Sequence, residues 1–159
     1  MSATDDPTRV FTSEELEWLP LPLVPKGEGW IKVIHADDER GNVIFRFRFS
    51  PDCELAPHTH ECHATAYTIS GEWEYEGLKL PAGAMAYEPV GSTHTPSSGR
   101  GAEIVVFLNS ESDQFLVNHM PDGTDVPFDM AFFKALEGAT VEEAQRLVEQ
   151  AAAQNSSPA

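Results

Sequence analysis

Three histidines constrain this 159-residue chain more than any other feature. His58 and His60 flank Thr59, and His94 closes the string Pro89-Val90-Gly91-Ser92-Thr93-His94, 34 residues after His60. Side chains on a β-strand alternate between faces, so His58 and His60 project from the same face. A third imidazole from a neighbouring strand completes a facial triad for one divalent ion, and the fold must therefore bring two distant strands together. A His-x-His pair alone is weak evidence of this. The accompanying string Gly83-x5-Pro89-x-Gly91-x2-His94, with Gly71 between the two segments, is far harder to reach by accident.

The rest of the chain supplies the strands. From Trp30 onward, short alternating runs are broken every 8–12 residues or so by turn residues, the rhythm of an all-β sandwich or barrel. Residues 30–35 read as a strand and 37–42 as a turn. In 43–49, Phe45, Phe47 and Phe49 share one face and Arg46 and Arg48 the other. The histidine strand is expected to run to Ile69 and turn at Ser70-Gly71. Next comes a strand over 72–76 with Trp73 and Tyr75 opposite the glutamates, then a turn over 80–83. Segments 85–87, 103–108 and 115–117 are expected to close the core. Past Pro121-Asp122-Gly123 the alternation stops. Residues 128–136 have helix-like apolar spacing, and Thr140-x-x-Glu143 is a capping box opening a helix from Val141 to about Ala152. A tail is expected after Gln154.

This organisation is one domain: an N-terminal arm over 1–29, a barrel over 30–120, and a helical segment with a tail over 121–159. A chain of this length buries roughly 70% of the surface it would expose unfolded. The arm is punctuated by Pro7, Pro20, Pro22 and Pro25, yet it carries Leu16, Trp18, Leu19, Leu21 and Leu23. Such an apolar segment needs cover. The expectation is that it docks on a second subunit and makes a homodimer, with folding back over its own barrel as the alternative.

Twenty-six acids against ten bases give a formal charge of −16. That charge opposes a phosphate backbone or an anionic membrane, so neither nucleic acid nor membrane is an expected partner. The first ten residues have no basic region and no long apolar run, so no signal peptide or span is read there and a cytoplasmic location is expected. Cys53 and Cys62 are too few for a disulfide framework and read as small buried fillers.

The two histidine segments resemble the two motifs of the cupin superfamily, which implies a jelly-roll β-barrel with the metal held by His58, His60 and His94. Cupins also have a glutamate four residues after the second histidine, and here that place is Ala64. Two further departures remove no ligand: Asp52 stands six residues before His58 where a glycine is usual, and Ser98 four residues after His94 where an asparagine is usual. From about Gly29 to Asn109 the chain is similar to the small cupins that include acetylacetone dioxygenase, 2,4'-dihydroxyacetophenone dioxygenase and the metal-binding domain of ChrR-type anti-sigma factors. The residues carrying this are Trp30, 47–51 (Phe-Arg-Phe-Ser-Pro), 57–60 (Pro-His-Thr-His), 67–72 (Tyr-Thr-Ile-Ser-Gly-Glu) and 89–96 (Pro-Val-Gly-Ser-Thr-His-Thr-Pro). In acetylacetone dioxygenase three histidines hold iron without the glutamate, which matches Ala64.

Three neutral imidazoles leave a divalent ion its whole +2 charge, which favours an anionic chelating ligand and leaves coordination positions for it and for dioxygen. The resemblance therefore implies an Fe(II) dioxygenase that cleaves a carbon–carbon bond of a small diketone or hydroxyketone bound as its enolate. Zinc, nickel or manganese also suits three imidazoles. Alternatives are a non-catalytic sensor of the ChrR type, or an isomerase, lyase or hydrolase using zinc, nickel or manganese. No separate catalytic side chain is singled out. His63, at odd spacing from His60, is expected on the opposite face unless a bulge turns it. Glu72, Glu74 and Glu76 are candidates to replace the missing glutamate, against cross-strand pairing with Arg46, Arg48 or Lys79. His35 and His119 read as structural.

Overall fold

Alternation within one strand decides which way the larger sheet faces. Val43, Phe45, Phe47 and Phe49 are buried, while Arg46 and Arg48 point outward. Each buried aromatic contributes roughly 1.5–3 kcal/mol, and a slip of one residue would bury two guanidinium groups in their place. The computed structural model describes residues 6–155. In chain order its strands are β1 (Leu19–Pro20), β2 (Gly29–Asp37), β3 (Asn42–Glu54), β4 (His58–His60), β5 (His63–Tyr75), β6 (Leu78–Pro81), β7 (Met85–Glu88), β8 (Thr93–His94), β9 (Ser97–Asn109), β10 (Gln114–His119) and β11 (Asp125–Asp129). Helices α1 (Met130–Leu136) and α2 (Val141–Asn155) follow.

All pairings are antiparallel. The larger sheet runs β1-β2-β3-β9-β5-β6, with β7 beside β5, and the smaller runs β11-β10-β4-β8. Their facing sides enclose one core, in which Phe47 packs edge-on against Phe49 and Phe49 lies over Trp73. This is the jelly-roll arrangement the motifs imply.

Several elements differ from the sequence reading. The histidine strand does not run on to Ile69 as one unit. It breaks at Glu61-Cys62, so β4 joins the smaller sheet and β5 the larger. Ser70-Gly71 is no turn: β5 continues through it as an irregularity in register with β9. Gly71 has φ 72°, and a Cβ there would lie 2.1 Å from the Gly101 carbonyl oxygen, so the glycine serves close strand approach. Within β7, Met85 and Tyr87 are exposed and Ala86 and Glu88 buried, the reverse of the expected core. The barrel also extends beyond residue 120. β11 forms a hairpin with β10, and Phe128 belongs to it. The helix starts only at Met130, where the Asp129 carboxylate accepts the Phe132 N–H at 2.8 Å.

The expected capping box at Thr140 and Glu143 is present in both directions. The helix it opens reaches Asn155, so the expected tail lies almost wholly outside the described residues. Asp52 adopts the left-handed backbone (φ 55°), but inside β3 rather than in the expected turn. Both cysteines are buried and free, and burial pushes the Cys53 and Cys62 thiols up to about 11 and about 12.

The arm lies on its own barrel. Leu19 is buried in the core and pairs with Ile31, and Leu21, Leu23 and Val24 pack against the same core. Trp18 sits against Arg48, Lys32 and Arg46 at 4.2, 4.8 and 5.6 Å. This is the alternative reading, an arm folded back over its own barrel: Leu19 is buried and Leu16, Trp18, Leu21 and Leu23 are half-buried there, while Val10 and Phe11 stay exposed.

Candidate metal centre

The second motif is clamped to the first through the backbone of one histidine. His60 donates its N–H to the Ser92 carbonyl, and its own carbonyl accepts the Gly91 N–H, both at 2.8 Å. Gly91 reaches that position with φ 90°, and Ser92 closes the turn onto the Pro89 carbonyl. The chain then enters β8 with His94 opposite His58. Strand alternation places His60 on the same side.

The three rings converge. Nε2 of His94 lies 3.2 Å from Nε2 of His60 and 3.1 Å from Nε2 of His58. Nitrogens bound at about 2.1 Å at right angles around one ion lie about 3 Å apart, so these residues could hold a metal ion. Burial and the neighbouring imidazoles push His58 down to about 3 and His60 to about 4. At neutral pH both present a lone pair. The nearby Ala56 backbone opposes part of that shift at His58. His60 Nδ1 is buried without a hydrogen-bond partner.

A carboxylate that the sequence reading missed completes this cluster. Glu88, 5% exposed, places one oxygen 3.4 Å from Nε2 of His60 and the other 3.4 Å from Nε2 of His94. These contacts are not ion pairs while the imidazoles are neutral. Burial instead pushes Glu88 up to about 7, opposed by a hydrogen bond from the Tyr75 hydroxyl. Tyr75 also stacks on His94 with ring centroids 4.3 Å apart, and its own hydroxyl is pushed up to about 12, first by burial and then by Glu88. Glu88 is the register partner of Ala64, so an acid absent from β5 is presented by the adjacent strand. The signal lay in the alternation of 85–88, which puts Glu88 on the same face as small Ala86.

The other candidates lie elsewhere. His63 is exposed and bonds the Tyr87 hydroxyl at 3.2 Å. Glu72 faces Lys79 at 3.9 Å, and Glu74 is its register neighbour. Glu76 accepts the Thr95 N–H. His35 stacks on Phe11, and His119 bridges Thr59 and Asp125.

The cluster opens into a cavity of about 100 Å³. Its walls include Leu21 and Leu23 from the arm with Phe47, Phe49, Trp73 and Ile104, and its polar lining residues are His58, His60, His94, Glu88 and Asn118.

Residues 7–112 match the model of the ChrR cupin-like domain. The chain belongs to that family. Among solved cupin structures, a protein of unknown function with a cupin-like fold from Ralstonia eutropha is 28% identical, with a TM-score of 0.59 over 77% of this chain and 74% of that one. An acetylacetone dioxygenase from Acinetobacter johnsonii is 16% identical, with a TM-score of 0.63 over 92% of this chain and 99% of that one. The complex of SigE with the anti-sigma factor ChrR from Rhodobacter sphaeroides matches at 15% identity and a TM-score of 0.52, covering 60% of this chain and 51% of that one. No curated protein matches by sequence. No helix among the described residues is long and apolar enough to cross a membrane.

Proposed function

We propose that this cupin is an Fe(II) dioxygenase that cleaves a carbon–carbon bond of a small diketone or hydroxyketone taken up as its enolate. The observation that carries this reading is the convergence of three neutral imidazoles and one carboxylate on the end of an apolar cavity. His58, His60 and His94 would hold the ion. Divalent iron bound there supplies Lewis acidity that favours an enolate and one-electron chemistry toward dioxygen.

The chain's own residues supply the rest. Glu88, raised to about 7, is matched to accept the proton that a diketone loses from carbon near neutral pH. Tyr75 fixes the plane of His94 by stacking, and its hydroxyl opposes part of the rise at Glu88. The cavity wall takes hydrocarbon substituents and keeps water from the reacting carbons. None of the ten Lys and Arg residues is among the lining residues, so a ligand with a second carboxylate would bury that charge unpaired. The likeness to acetylacetone dioxygenase supports the same choice.

The test is oxygen uptake by Fe(II)-loaded protein given acetylacetone or a hydroxyacetophenone, with ¹⁸O₂ labelling of the fragments. The reading expects one dioxygen consumed per ligand cleaved and label in both fragments. Absence of uptake with the iron site full overturns it. The family match to ChrR favours a second reading, a non-catalytic metal sensor, which expects stoichiometric metal with no uptake.

A further inference from the structure

Outside the metal centre, the most unusual feature is the outer face of the larger sheet. Its two halves are treated differently. Over β2 and β3, the chain's own arm covers the face: Trp18 lies on Lys32, Arg46 and Arg48, while Ser13 and Glu14 bind Arg46 and Lys32. Over β9, β5 and β7, nothing among the described residues covers it. There the strand registers set two rows side by side, Met85–Tyr67–Val105 and Tyr87–Thr65–Phe107. Tyr87 is 67% exposed, Met85 64% and Phe107 47%, and Ile69 beside them is also exposed.

We infer that this uncovered half-face is the homodimer interface, docked on the same half-face of a second copy of the chain. Area supports it: with about 200 Å² for a large side chain, the exposed apolar residues of the rows and Ile69 present roughly 600 Å², the upper end of what a monomer leaves bare. With its rim this approaches the roughly 800 Å² per partner of a stable interface. Charge selects the occupant. The chain carries −16, so two copies repel over most of their surface, yet the six positions of the two rows bear no formal charge. At the β3 end Arg46 is already engaged by Glu14 and Glu103. A two-fold axis through the rows sets each against its counterpart, a self-complementary contact that closes at two copies. The arm, on the other half of the face, is not part of it.

Sedimentation velocity of the full chain over a hundred-fold concentration range tests this. The wild type should reach the mass of two 17.5 kDa chains, and Tyr87→Lys and Phe107→Glu should sediment as single chains with unchanged far-UV circular dichroism. Leu78→Lys, also at an exposed apolar residue but off the rows, should stay dimeric. Met85→Lys offers a second, highly exposed position in case Phe107→Glu fails to fold. A wild type of single-chain mass at every concentration overturns the inference, whether or not the face binds something else, such as neutral lipid vesicles. So does a folded Tyr87→Lys or Met85→Lys that still sediments as two chains.

Discussion

Ala64 and Glu88 are register partners on β5 and β7, and the acid at 88 faces the same histidines that a glutamate at 64 would address in other cupins. Both residues are buried. Glu88→Ala should weaken divalent-metal affinity about 10–100-fold in chelator competition. The double exchange Ala64→Glu with Glu88→Ala should recover most of it. Ala64→Glu alone crowds two carboxylates into one buried site, so one must stay protonated, and it should lower the melting temperature. A double variant that binds no better than Glu88→Ala would show that the two positions are not equivalent. The residues that could hold the ion remain His58, His60 and His94, with the Glu88 carboxylate beside two of them.

The same groups set an acid response of the metal-free protein. His58 and His60 titrate near 3 and 4 when folded, against about 6.5 unfolded. Below that value the unfolded chain takes up two protons that the folded chain refuses, so stability falls as pH falls. Glu88 acts in the opposite sense, because its folded value near 7 lies above the unfolded one and its contribution is lost as pH rises through that window. Two groups outweigh one. Thermal melts taken from about pH 7 to about pH 5 should show a falling melting temperature, and Glu88→Gln should steepen the fall. A flat profile would contradict the buried neutral histidines.

Gly71→Ala should destabilise the fold by about 1–3 kcal/mol or more, because it combines a positive φ with a Cβ that meets the Gly101 carbonyl. Urea unfolding would read the loss, and an unchanged midpoint would mean that β5 and β9 separate there at no cost.

Much of the fold was legible because its signals are local. The parity of Phe45, Phe47 and Phe49 is written in consecutive residues, and so are the capping box at Thr140 and the spacing of His58, His60 and His94. The misreadings concern relations between strands. A glycine serves a hairpin turn and a close strand approach equally well, so Ser70-Gly71 was read as the wrong one. Met85 and Tyr87 are apolar but face outward, because β7 takes its orientation from its pairing with β5 rather than from its own hydrophobicity. Glu88 went unseen for the same reason, since cross-strand register is absent from a linear pattern. The leucines of the arm demand cover, and composition does not say whose surface provides it; here Leu19, Leu21 and Leu23 pack on their own barrel.

Thr68 is buried at the centre of β5, where its hydroxyl donates to the Leu80 carbonyl and accepts the Trp73 indole N–H at 2.8 Å. Thr68→Val keeps the shape but leaves both partners unpaired, which should cost about 1–3 kcal/mol in chemical denaturation. Wild-type stability in that variant would mean that water replaces the hydroxyl.

Metal stoichiometry is the most direct test of the central assignment. Wild-type protein stripped and then titrated with a divalent ion by calorimetry should bind one equivalent, and His60→Ala, with circular dichroism unchanged, should bind none at the same concentrations. One equivalent retained by His60→Ala at unchanged affinity, or no binding by the wild type, would contradict a centre built on His58, His60 and His94.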